Sequence, residues 1–123
     1  MKYKVQDIGF QIPSKETGIK VFRDGLGLEP LASTSTDPMQ YRIDDYTILA
    51  LDLPDINPAY STRLHLTTTK EQLQEILVRL EGIEGIKLTT KERQAFSGKE
   101  KKSVRIDFNG SDSRVLVTDV LEK

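Results

Sequence analysis

One order of hydrophobic periods occurs twice in this chain, and the duplication limits the folds open to it. Residues 3–12 alternate: Ile8, Phe10 and Ile12 share one face, preceded by Val5, while Asp7, Gly9 and Gln11 take the other. A period of two reads as a strand with one buried side. Pro13 ends it, Ser14 is placed to cap a helix, and Ile19, Val21, Phe22 and Leu26 repeat at helical spacing until Gly25 and Gly27 stop it. Short strands are predicted at Glu29–Ser33, Met39–Ile43 and Tyr46–Leu51, with Asp44-Asp45 turning between the last two. Pro54, Asn57 and Pro58 mark a linker over 54–61, and then the order restarts. Leu64 and Leu66 alternate with Arg63, His65 and Thr67. Thr68 or Thr69 caps a helix whose stripe is Leu73, Ile76, Leu77 and Leu80, closing at Gly82 and Gly85. Strands are predicted at Ile86–Thr90, Ser103–Phe108 and Arg114–Val120, and the polar, basic stretch Lys91–Lys102 is predicted as a solvated loop.

The halves also agree in residues. Asp45–Asp52 closes the first and Asp112–Asp119 the second, each a turn acid, a β-rich run and another acid. The openings Asp7–Gly27 and His65–Gly85 have equal span. A repeat of about sixty residues is too long for a solenoid and indicates a duplicated half-domain. The expected architecture is α+β, two tandem βαβββ modules at about 3–53 and 62–120 in one domain of 123 residues.

Eighteen basic residues against nineteen acidic ones leave a net charge of −1, so no basic field exists to attract nucleic acid or an anionic membrane. The chain has no cysteine, which excludes disulfides, a thiolate nucleophile and zinc–thiolate sites. No apolar run has the length of a signal peptide or a membrane span, so a cytoplasmic protein is expected. Gly25-Leu26-Gly27 ends a helix and does not open one, so it is not a phosphate-cradling loop.

The stretch Ile8–Ile12, a helix, and then Arg23-Asp24-Gly25-Leu26-Gly27-Leu28 closely resembles the first module of vicinal-oxygen-chelate proteins, the group of glyoxalases, bleomycin-resistance proteins and extradiol dioxygenases. Leu64-His65-Leu66, Leu77–Glu81, Ser103–Ile106 and Arg114–Val117 follow the second module. The arginine–aspartate–x–leucine–glycine–leucine segment is the specific part, and the likeness runs from Gln6 to Asp119. It implies curved sheets with helices on one side, a cavity between the other faces, a homodimer, and, in the enzymes, one divalent metal. That metal is held by His, Gln or Glu from the cavity faces of each module's first and last strands.

Those positions carry few ligands here. In the first strand the matching residue is Asp7. In the second module's first strand, equal spacing selects His65, whereas the family wording selects Arg63, a permanent cation with no lone pair to give. The closing strands offer Leu49 or Ala50 and Leu116, none of them a donor. The expectation is therefore a cavity with no metal cofactor that takes a small molecule. Gln11, Arg63, His65, Arg105 and Asp107 would supply its polar groups, with Leu49 and Leu116 its apolar floor. Arg63 and Arg105 can clamp a carboxylate or phosphate, or can pair with Asp7 and Asp107 instead. The alternatives are a metal enzyme of glyoxalase or dioxygenase type with Asp7 and His65 as ligands, a metal-free enzyme in which Asp7 orients His65 as a base, and a partner-binding or structural protein with a filled cavity. Tyr41, Tyr46, Tyr60 and Phe96 are candidate aromatic walls.

Overall fold

A computed structural model describes residues 7–31, 38–53, 62–94 and 100–119. Residues 3–6, Ala32, Ser33, the 54–61 linker with Tyr60, Phe96, Gly98 and Val120 lie outside them.

Strand β1 (Asp7–Gln11) buries Phe10 completely, and Ile12 just beyond it. Pro13, with no N–H to give the ladder, breaks the strand. Ser14 Oγ then accepts from Thr17 N–H at 3.4 Å and starts α1 (Lys15–Ile19). The sequence predicts one regular helix to Gly25, but residues 20–25 form a π-helical continuation. Leu26 N–H reaches back to Val21 C=O at 2.8 Å, and Leu28 N–H to Phe22 C=O at 3.0 Å. Val21, Phe22, Gly25 and Leu26 are all buried. At Gly25 the chain touches the second helix so closely that a Cβ would fall 2.4 Å from Leu80 Cδ2. Local periodicity carries no record of that contact, which is why the widened turn was not anticipated.

The first sheet continues with β2 (Glu29–Pro30), β3 (Gln40–Arg42) and β4 (Ile48–Asp52) in the order β1-β4-β3-β2. β1 and β4 run parallel, and the other pairs are antiparallel. Asp44 Oδ1 accepts from Tyr46 and Thr47 N–H, both at 2.8 Å. The Tyr46 bond above all holds the Asp44 carboxyl below its ordinary range, with Arg42 adding to the effect. Tyr46 therefore belongs to the exposed turn and not to β4.

The second module repeats the order: β5 (Arg63–Thr67), α2 (Lys70–Leu80), β6 (Ile86–Gln94), β7 (Glu100–Phe108) and β8 (Arg114–Thr118), arranged β5-β8-β7-β6. Thr69 is the cap, its Oγ1 accepting from Gln72 N–H at 3.3 Å. The predicted Lys91–Lys102 loop is corrected. β6 runs on to Gln94 and β7 begins at Glu100, paired from Lys91↔Ser103 out to Gln94↔Glu100. An antiparallel ladder is held by main-chain hydrogen bonds that any residue but proline can make, so a polar, basic stretch carries no mark of it.

Both modules cover one hydrophobic cluster. Phe22 is its hinge: its ring centroid lies 5.2 Å from that of Phe10, 6.1 Å from Phe108 and 6.3 Å from Tyr41. Tyr41, a predicted aromatic wall, is wholly buried here and donates its hydroxyl to Pro38 C=O at 2.8 Å. Burial pushes its phenol pKa up, so it stays protonated. No described helix is long and apolar enough to cross a membrane.

Candidate functional site

With Leu64, Leu66, Val104, Ile106, Phe108, Val115 and Val117 packed in or against the cluster, the alternate residues of the second sheet face the other way. Register aligns them in three rows. His65 pairs with Leu116, Leu116 with Arg105, and Arg105 with Thr89. On one side lies a hydroxyl row of Thr67, Thr118, Ser103 and Lys91; on the other lies a charged row of Arg63, Arg114, Asp107 and Lys87. Over them sits a pocket of about 580 Å³ lined by Arg63, Leu64, His65, Thr89, Lys91, Ser103, Arg105, Arg114, Leu116 and Thr118.

Four of the predicted site residues meet there: Arg63, His65, Arg105 and Leu116. Asp107 does not line the pocket but holds Arg105, whose Nε donates to Asp107 Oδ2 at 2.9 Å. Three expectations are corrected. Leu49 is wholly buried in the core, because parity along β4 turns Leu49 and Leu51 inward and leaves Ile48 and Ala50 on the other face. Gln11 is buried at the seam between the modules, where its N–H donates to Thr62 Oγ1 at 3.1 Å and Thr62 N–H donates to Ser113 Oγ at 3.0 Å. Asp7 sits at the exposed end of β1 and lines no part of the pocket. The Asp7–His65 pair is not formed: His65 Nε2 lies 3.0 Å from Thr118 Oγ1. Neither candidate pairing of Arg63 with Asp7 nor any other ion pair of Arg63 occurs among the described residues. Neither Tyr41 nor Tyr46 reaches the pocket.

Sequence reasoning missed Arg114, Thr118, Thr89, Lys91 and Ser103. Alternation along β8 was the available signal, since Arg114, Leu116 and Thr118 share one parity. A second hollow, about 430 Å³ on the helical side, has its cation engaged already: Arg79 Nε donates to Gly25 C=O at 2.9 Å and Arg79 also faces Glu75.

The module registers also decide which positions correspond. Among the described residues β1 pairs with β4 as far as Gln11↔Asp52, and β5 with β8 as far as Thr67↔Thr118. Beyond the strands, Ile12 N–H donates to Asp52 C=O and Thr68 N–H to Thr118 C=O, both at 2.9 Å. Asp7 thus matches Arg63, Gly9 matches His65, and Ala50 matches Leu116; the equal-span alignment was off by one pleat. A divalent metal at the four corresponding positions would meet Asp7, Ala50, Arg63 and Leu116, a set with one donor. Among the described residues no three His, Asp or Glu side chains gather as a metal would need. The residues do not fit that metal.

No family sequence model and no curated protein sequence matches this chain. Solved structures do. A glyoxalase/bleomycin resistance protein/dioxygenase superfamily member from Sphaerobacter thermophilus is similar at TM-score 0.62 and 15% identity, over 95% of this chain and 97% of that one. A lactoylglutathione lyase from Agrobacterium tumefaciens matches at 0.63 and 16%, over 95% and 93%. A fosfomycin resistance protein from Mesorhizobium loti matches at 0.66 and 8%, over 98% and 95%. The chain therefore carries the vicinal-oxygen-chelate fold, with two mixed four-stranded sheets and few helices.

Proposed function

We propose that this protein is a metal-independent, small-molecule-binding relative of the glyoxalase and bleomycin-resistance proteins, acting in the cytoplasm as a homodimer. The observation that carries the reading is the pocket on the second sheet: its size suits a drug-sized ligand, its floor is Leu116, and its rim is polar. The lone donor among the four ligand-matching positions favours binding without metal. On the first sheet the positions corresponding to His65 and Leu116 are Gly9 and Ala50, register partners without a polar side chain. The dimer is carried over from the resemblance to the family.

Chelator-treated protein is expected to melt at the same temperature with Ni²⁺, Zn²⁺, Mn²⁺ or Fe²⁺ added singly, and His65→Ala should behave alike. A metal that raises the wild-type melt but not that of His65→Ala would return the protein to the metalloenzymes. Light scattering on the same preparation should give about twice the chain mass of 13.9 kDa; a single-chain mass at micromolar concentration refutes the dimer.

A further inference from the structure

The charged row holds an arrangement that a sheet normally avoids. Arg63 and Arg114 are direct register partners on neighbouring parallel strands, both on the pocket face. Like charges placed directly opposite destabilise a pair. The one carboxylate in that row, Asp107, is bonded to Arg105 Nε. No ion pair neutralises Arg63, Arg114 or Lys91 among the described residues. Among the described residues the pocket lining therefore carries four cations and no acid.

Resting on the pocket reading above, we infer that Arg63 and Arg114 form the recognition point for a small organic anion, a carboxylate or phosphate monoester with an apolar body. Two guanidinium forks carried on register partners can engage the two oxygens of such a head group. Its body would lie along the middle row, over Leu116 and the aliphatic stem of Arg105. The hydroxyls of Thr118 and Ser103 line the far side, so a polar tail is accommodated there. A single-stranded nucleic acid, another anion of this chemistry, asks for a run of stacking rings, and among the described residues the rows of this face hold no phenylalanine, tyrosine or tryptophan.

The test uses full-length protein and three probes with a shared 3-phenylpropyl body: 4-phenylbutyrate, its neutral amide, and 3-phenylpropyl phosphate, titrated by calorimetry at constant ionic strength. The acid, the phosphate or both should bind, the amide at least tenfold more weakly. Their relative affinities report which head group the site prefers. Arg63→Gln and Arg114→Gln should each weaken the anion by about tenfold, as loss of a charge-assisted bond does. Without ligand, each variant should melt at or above the wild-type temperature, because a repulsion has been relieved; a merely structural arginine would lower it. Equal binding of acid and amide, unchanged in both variants, overturns the anion assignment while leaving the pocket reading intact. No binding by any probe, with added inorganic phosphate leaving the melt unmoved, overturns both.

Discussion

Phe22→Ala should lower the melting temperature by about 15 °C, the largest loss expected from removing any single side chain without adding a charge. The ring is wholly buried and is in contact distance of three others, Phe10, Phe108 and Tyr41, from both modules. Its stacking on Phe108, with planes 20° apart, and its edge contact with Phe10, at 75°, tie the first helix to both sheets. Truncating a buried phenylalanine costs about 3–5 kcal/mol, a large part of the roughly 5–15 kcal/mol that holds an ordinary domain folded. Little relief by collapse is available, since Gly25 already presses its turn against Leu80. Differential scanning calorimetry decides the matter. A fall below about 5 °C would mean that the modules do not depend on this shared cluster.

A second result should separate two adjacent residues. Val115→Asp is expected to abolish the cooperative melt, whereas Leu116→Asp should leave it within a few degrees and remove binding of anionic probes. Val115 is wholly buried, with Leu64 and Ile106 as its register partners on the core face. An unpaired carboxylate there loses its hydration with nothing in return, a cost of at least several kcal/mol. Leu116 points the other way, between His65 and Arg105, where a carboxylate meets water and a cation. The same charge that the fold tolerates there would repel an anion from the pocket. Circular dichroism melts and titration with 4-phenylbutyrate measure the two arms. If both variants fold equally well, the assignment of β8 faces is wrong.

The contrast between Val115 and Leu116 marks how far local pattern reaches. Alternation is a property of the main chain: successive side chains of a strand must face opposite ways, so parity along β1, β4, β5 and β8 is written in the residues themselves. The same holds for the helix starts, where Ser14 and Thr69 satisfy orphan N–H groups a few residues on. The duplicated strand–helix–strands order, and through it the fold, follows from those local rules. Leu49 was misplaced by matching it to a family position when its own parity already turned it inward. The ribbon of β6 and β7 was invisible for the opposite reason: main-chain pairing between the strands holds it, and no alternation in Lys91–Lys102 announces that pairing.

By itself, then, the sequence determined the periods, the caps, the turns and their doubled order, since each depends on residues within about a helical turn or a pleat of one another. Only the tertiary structure decided what meets across the strands. It slid the two modules into the register that equates Asp7 with Arg63, sent Gln11 to the seam with Thr62, and widened the first helix where Gly25 meets Leu80. It also set Arg63 beside Arg114 and left both facing an open pocket. Such pairings are fixed by main-chain hydrogen bonds and core packing between segments far apart in sequence, and no local period encodes them.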